Sequence, residues 1–380
     1  MTGAAGGIGR AVCDVVVGCL GGTAVAIDVD GPGLSSLADA LGSGLITVEA
    51  DLSDLGNVRS TALSVRERFP EIDVLVNNAG MSYTFADEEV GAAGTTAQGH
   101  DLLFGVNYLS HVLLTELLRP CLERARGGGR IAFVTSGFHQ KVDGSMLVPT
   151  DPKIDDGGEG RLWDSEAAEM RRAGGEAGSG AASISPPASR GAGRGRWRSH
   201  AGRAYANSKL AQIWHARSLA RDLAGDPSAS PPITVACACP SWAGTGIAGE
   251  DGRSFLSRFA YPAERGGAGI TSVLNAMLRT NDDLGESVLS SDGTRYVGNS
   301  LTAEILTQWP IHTSRLTAEM GWRDGIVSAF SIVILATQRW LYDDFILQKT
   351  SCEANDVDGQ NALHRWSMES VRPWLQKEGR

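Results

Sequence analysis

Two stretches of this chain carry residues whose types and spacing suit chemistry. In Tyr205-Ala206-Asn207-Ser208-Lys209 the i, i+4 spacing puts a phenol and an ammonium on one face of a helix, where they can share a site. A tyrosine titrates at about 10 and is a poor base at neutral pH unless a nearby cation stabilises the phenolate. Lys209 can supply that cation and bring the phenol toward the range of general acid/base catalysis. A helix surface pair is the plainer alternative. The second stretch is Thr2-Gly3-Ala4-Ala5-Gly6-Gly7-Ile8-Gly9, followed by the apolar-periodic segment Ala11 to Leu20. Glycines at 3, 7 and 9 let a backbone turn tightly and approach a pyrophosphate, whose charge then rests on the amides of a helix N-terminus. Taken alone, an ordinary glycine-rich turn looks the same.

Residues so far apart need a scaffold to bring them together. The β-branched run Thr23 to Asp28 follows the first helix and ends in a carboxylate, Leu45 to Leu52 includes Asp51 near its end, and Asp73 to Gly80 ends in Asn77-Asn78-Ala79-Gly80. A long helical pattern, Gln98 to Ala125, carries Asn107, and Gly127-Gly128-Gly129 leads into a strand, Arg130 to Thr135, that delivers Ser136. Strands separated by helical stretches indicate an α/β chain with a doubly wound parallel Rossmann-type sheet, which binds ligands at the strands' carboxyl ends. Each polar motif falls at such an end. A carboxylate at Asp28 suits both hydroxyls of an adenosine ribose and repels a 2'-phosphate, so the residues predict NAD. NADP stays open, because Arg10 follows the last loop glycine.

In this order the motifs resemble the short-chain dehydrogenase/reductase family, and Tyr205 to Ala211 with Val106-Asn107-Tyr108 are similar to its retinol-dehydrogenase-like branch. The resemblance runs from Thr2 to Val297. It implies a nicotinamide cofactor with Gly3, Gly7, Ile8 and Gly9 in the cofactor loop, Asp51 and Leu52 flanking the adenine, and Asn78, Ala79 and Gly80 on the ribose side. It implies further that Ser136 holds the substrate oxygen, that Tyr205 is the acid/base, and that Lys209 binds the nicotinamide ribose and lowers the tyrosine pKa. Asn107 would complete a water-linked proton relay, and Thr245 would touch the carboxamide.

The chain departs from the family pattern in three places. The family's apolar strand before the Thr-Gly loop has no counterpart after Met1, and an incomplete N-terminus is expected rather than a functional loss, since the later motifs are in place. Ser241 follows Pro240 where the family has glycine, and a serine forced to positive φ would cost about 1 kcal/mol or more. Between Ser136 and Tyr205 lies an insertion, 141–203. Its first part, to Met170, has acidic and apolar residues, Leu162 and Trp163 among them, that suit a lid over the substrate. Its second part, Arg171 to Arg203, is rich in Gly, Ala, Ser, Pro and Arg and is predicted to be disordered. The arginines around Trp197 could meet an anionic partner, but a solvated loop fits an acidic chain better.

The expected organisation is a catalytic domain over 1–300 and a helical C-terminal extension over 301–380. Within the extension, Gly325 to Gln338 is uncharged but shorter than the roughly 18 residues a bilayer span needs. The segment 325–347 reads either as a membrane-surface helix or lipid-substrate wall, or as a buried or dimer-packing helix. Leu363-His364-Arg365-Trp366-Ser367 resembles the branch's C-terminal helix, which borders the substrate pocket. A net charge of −10 argues against nucleic-acid partners. Six scattered cysteines show neither a disulfide framework nor zinc spacing, and no secretory signal opens the chain, so an intracellular protein, cytoplasmic or peripheral on an internal membrane and without a metal, is expected. The expected function is hydride transfer between a nicotinamide cofactor and a lipid-like alcohol or carbonyl, such as a retinoid or steroid. The competing class is a catalytically silent dinucleotide-binding sensor or scaffold.

Overall fold

In the computed structural model, the structure describes residues 1–82, 94–142, 144, 147, 200–224, 233–240, 243–244, 261–262, 268–278, 295–298, 346–347, 350–351 and 353–376. The glycine loop feeds α1 (Gly7–Asp14), which runs on through a π-helical turn, Val15–Cys19. Then come β1 (Ala24–Asp28), α2 (Gly31–Leu41), β2 (Leu45–Glu49), α3 (Leu55–Arg68) and β3 (Val74–Asn77). A short helical turn α4 (Leu102–Phe104), a π-helical turn Gly105–Leu109 and α5 (Ser110–Leu122) form one continuous rod. After it follow β4 (Arg130–Val134), α6 (His200–Ala224), β5 (Thr234–Cys239), α7 (Thr271–Leu278), β8 (Arg295–Gly298), β9 (Ile346–Leu347) and α8 (Val357–Leu375); β6 (Ala243–Gly244) and β7 (Tyr261–Pro262) pair apart from the main sheet.

Strands β3, β4, β5 and β8 pair in parallel in that order, with β9 antiparallel on β8, while β1 and β2 form a separate parallel pair. Residues Met1 and Thr2 join the two parts. Thr2 bridges Ile27 in β1, the Ile27 amide donates to the Met1 carbonyl at 2.9 Å, and the Thr2 amide donates to the Val76 carbonyl of β3 at 3.1 Å. Nearly every residue of β4 and β5 is buried, because helices cover both faces, and both strands accordingly read as continuous apolar runs. On one face Val112, Leu113, Leu117, Ile213, Trp214 and Val235 join α3, α5 and α6 to the sheet. On the other, Ala11 and Val12 of α1 and Val273 and Ala276 of α7 pack on Val76, Ala132 and Ala236. This is the doubly wound α/β architecture the alternation predicts.

The rod carrying Asn107 starts later than its periodicity suggests. Gly99 takes φ +84°, and Asp101 then caps the first turn, its carboxylate accepting from the Phe104 amide at 2.9 Å. Helix α8 contributes Leu363 and Val371 to the same core as α3, α5 and α6. Polar ties fix it there: the Tyr108 and Ser367 hydroxyls lie 2.8 Å apart, Trp214 Nε1 donates to the Glu353 carbonyl at 2.9 Å, and Arg217 donates to Asn355 and Thr350. Among the described residues no helix is long and apolar enough to cross a membrane. Thr245, Ser241, the uncharged run 325–338 with the segment up to 345, and the insertion between 148 and 199, with its expected lid and disordered stretch, lie outside the described residues.

Candidate active site

The glycine loop is built by close approach. Gly3 has φ +65°, and a Cβ there would fall 2.8 Å from the Ala79 Cα; a Cβ on Gly9 would fall 2.0 Å from the Gly3 carbonyl oxygen. Only glycine fits either place. Gly6 is the N-cap of α1 and makes no side-chain cap, and the first turn holds no acidic residue, so the Gly7, Ile8 and Gly9 amides head a helix whose positive end is not neutralised by its own side chains. Asn78 ties the loop to β3: its side-chain amide donates to the Thr2 and Gly3 carbonyls at 2.9 and 3.2 Å.

At the end of β1, the Asp28 carboxylate accepts from the Ala5 amide at 2.8 Å and from the Asp30 amide at 3.0 Å. One donor per oxygen leaves lone pairs for further hydrogen bonds. Arg10 reaches the same turn and donates to the Gly33 carbonyl at 3.1 Å. Asp51 is exposed and accepts from the Ser53 amide at 2.8 Å, whereas Leu52 turns into the core.

Four residues from distant parts of the chain meet at the carboxyl ends of β3 and β4. Ser136 stands just beyond β4, its hydroxyl accepting from the Phe138 amide at 3.3 Å. The Ser136 hydroxyl is near enough to the Tyr205 phenol on α6 to act on its pKa. Lys209, one turn further along α6, sits with Nζ 5.6 Å from the centre of the Tyr205 ring. It donates to the Val134 carbonyl at 3.0 Å and to Gln212 Oε1 at 3.2 Å. Gly80 lies against it, a Cβ there falling at contact distance, 3.4 Å, from Nζ. Asn107 holds the strand leaving Gly80 by a reciprocal pair with Met81, accepting from its amide at 2.8 Å and donating to its carbonyl at 2.9 Å. It also donates to the Ser208 hydroxyl at 3.1 Å.

Burial dominates the electrostatics. It pushes the Tyr205 phenol up to about 12, with the neighbouring Ser136 hydroxyl working against it and Cys239 working with it. In the protein alone the phenol is therefore a proton donor, contrary to the lowered pKa expected from Lys209. Burial likewise draws Lys209 down to about 8, opposed by Cys239. At neutral pH the pair is a neutral phenol beside an ammonium.

Sequence reasoning missed Gln212 and the histidines His111 and His139. Gln212 lies three residues beyond Lys209, on the same helix face, which is the one signal that pointed to it. His139 links the Ser136 carbonyl, 2.8 Å from its Nδ1, to the Ser351 amide, which donates to its Nε2 at 3.3 Å. The C-terminal segment thereby braces the turn that holds Ser136.

The short-chain dehydrogenase family model matches residues 1–146. Over that stretch the chain is similar to the short-chain dehydrogenase family. The stretch holds the glycine loop, Asn107 and Ser136, and α6 with Tyr205 and Lys209 lies beyond it. Among relatives, the chain is 32% identical over 155 residues to mouse retinol dehydrogenase 14, covering 37% of this chain and 44% of that protein. It is 35% identical over 95 residues to human dehydrogenase/reductase SDR family member 13, covering 25% and 22%. The match to cis-1,2-dihydrobenzene-1,2-diol dehydrogenase of Pseudomonas putida is 26% over 149 residues, 39% of this chain and 54% of that one. The matched segment thus spans less than half the length of the first of these relatives. A solved structure of an uncharacterized protein from Mycobacterium paratuberculosis aligns with 98% of this chain and 91% of its own, at a TM-score of 0.54 and 20% identity, a likeness of fold.

Proposed function

We propose that this chain is a nicotinamide-dependent oxidoreductase that interconverts an alcohol and a carbonyl, with Tyr205 as the acid/base. The observation that carries this is the Ser136 hydroxyl beside the Tyr205 phenol, with the Lys209 ammonium under the ring. Two neighbouring hydroxyls can both bond a substrate oxygen placed between them. In carbonyl reduction the neutral phenol gives its proton to that oxygen while Ser136 holds it. That transfer leaves a phenolate, which a nearby cation stabilises, and in alcohol oxidation the phenolate takes the proton back.

The residues present fit a dinucleotide. The uncapped, acid-free N-terminus of α1 suits a pyrophosphate, and the glycines allow the backbone approach it needs. The nicotinamide supplies or takes up the hydride. With two Lys209 donors held by Val134 and Gln212, the third is the one that can reach a cofactor ribose. Asp28 favours NAD over NADP, since its free lone pairs suit ribose hydroxyls and its charge opposes a 2'-phosphate. A lipid-like substrate, retinoid or steroid, rests on the likeness to a protein named retinol dehydrogenase 14.

Turnover of retinol, a hydroxysteroid and a secondary fatty alcohol with NAD tests the reading, alongside NADH fluorescence titration. Tyr205→Phe should lower kcat by about 100-fold or more and leave NADH affinity within a few-fold. Lys209→Ala should damage both. A phenylalanine variant keeping more than about a tenth of the activity would refute the role of the phenol.

A further inference from the structure

The Asn107 carbonyl is filled by side chains. Gln212 Nε2 donates to it at 2.6 Å and His111 Nδ1 lies 3.0 Å from it. A carbonyl oxygen only accepts, so His111 carries its proton on Nδ1. The ring is neutral, because burial holds its pKa at about 3, and its Nε2 is therefore an acceptor. The Thr2 hydroxyl has that nitrogen at 3.1 Å and the Val76 carbonyl at 3.4 Å and donates its one proton to the nearer, and it accepts from the Asn78 and Ala79 amides, each at 2.9 Å. Together with Lys209 Nζ on Gln212 Oε1, these bonds make one connected network between the ammonium and the loop beside Gly3, in which donation converges on the Asn107 carbonyl from both sides. Thr2, Asn107, His111, Lys209 and Gln212 are all buried.

We propose that Gln212 is a positioning residue whose amide clamps Lys209 to the Asn107 carbonyl and stands in the connection that a bridging water would make there. The side chain suits the task because one planar group offers an acceptor to the ammonium and a donor to the carbonyl. Glutamate has no such donor, and an apolar residue has neither. Both lone pairs of the carbonyl are taken, so it has no site left for a water. An amide, unlike a water, does not pass a proton on, because its N–H is far too weak an acid. Asn107 thus sets geometry in this chain, and protons of Lys209 exchange on the side facing Tyr205. Lys209 owes its importance to the oxidoreductase reading above, on which this proposal rests, but the clamp itself can be tested without turnover.

The chain has five lysines, Lys141, Lys153, Lys209, Lys349 and Lys377, so labelling lysine with 13C at Cε gives five NMR signals that can be titrated with pH. Lys209→Arg assigns the one of interest. Removing an acceptor from a buried ammonium disfavours the charged form, so Gln212→Met should lower the Lys209 pKa by about one unit. Gln212→Glu puts a carboxylate there and should raise it by about one unit or more. Among the described residues, the other titrating groups near Lys209 are Tyr205 on its own helix, Cys239 on β5 and His111 on α5, and they are the same in both variants. Opposite shifts of this size support the clamp. Shifts below about 0.2 units, or of one sign in both variants, overturn it. If the methionine variant does not fold, the glutamate variant decides alone, by whether the pKa rises. Should the shifts appear while the wild type neither binds NADH nor turns over any of the alcohols tested, the clamp stands and the oxidoreductase reading falls.

Discussion

Acidification from about pH 7.5 to about pH 5 should destabilise this protein steeply, because it folds with histidines buried and neutral. Burial lowers His111 to about 3, His139 to about 4 and His215 to about 3. Unfolded histidine titrates at about 6.5. Below that pH the unfolded chain takes up protons that the folded chain refuses. The stability these residues contribute is therefore complete above about 6.5 and is lost as pH falls toward the folded values. Each histidine costs about 1.4 kcal/mol per pH unit in that window, so three cost about 6 kcal/mol at pH 5. That rivals the whole margin of a typical domain, about 5–15 kcal/mol. His215 isolates one share of the effect. Neither of its ring nitrogens has a hydrogen-bond partner among the described residues, and it packs edge-on to Tyr108 and Phe133 and stacks on His364. His215→Phe keeps an aromatic ring in that slot and cannot titrate. At pH 7.5 it should change stability by about 1.5 kcal/mol or less, and between about pH 6.5 and 5 the loss per pH unit should shrink by roughly a third. Urea unfolding followed by tryptophan fluorescence at stepped pH measures both. A flat stability across that window, or an unchanged slope in the variant, would refute the reasoning.

Ser367→Ala leaves the buried Tyr108 hydroxyl without its partner and should cost about 1–3 kcal/mol, while adding Tyr108→Phe should recover most of it; a double-mutant cycle by urea unfolding reads the docking of α8, and no coupling would argue against it. Gly9→Ala places a Cβ against the Gly3 carbonyl and should weaken NADH binding by about ten-fold or more in a fluorescence titration, an unchanged Kd counting against the loop as the cofactor site. Asp28→Ala also frees the Ala5 amide and so loosens the loop for either coenzyme. The ratio of kcat/KM values is the diagnostic: a wild-type preference for NAD should shrink by about ten-fold or more, and a wild type that favours NADP would defeat the assignment.

The alternation of strand and helix, the glycine loop and the Tyr205, Lys209 pair were legible in the sequence, because each is imposed by local rules: side-chain period, backbone clearance and one-turn spacing on a helix. The same rules could not say where the Asn107 helix begins, since a positive-φ turn at Gly99 and the Asp101 cap decide it. Nor could they reveal that α8 shares the core of α6, which depends on contacts such as Tyr108 with Ser367, 259 residues apart. The spacing of Tyr205 and Lys209 suggested a lowered phenol pKa, but spacing carries no information about desolvation, and in the folded protein burial raises it. The chain of bonds from Lys209 through Gln212, Asn107 and His111 to Thr2 is likewise a tertiary product. Its members lie on α6, on the rod of α5 and in the glycine loop, and only the packing of helices against the sheet shuts them away from water. Once buried, each polar group must find a partner within the protein, and that requirement, which no local pattern expresses, selects which residues of the site touch.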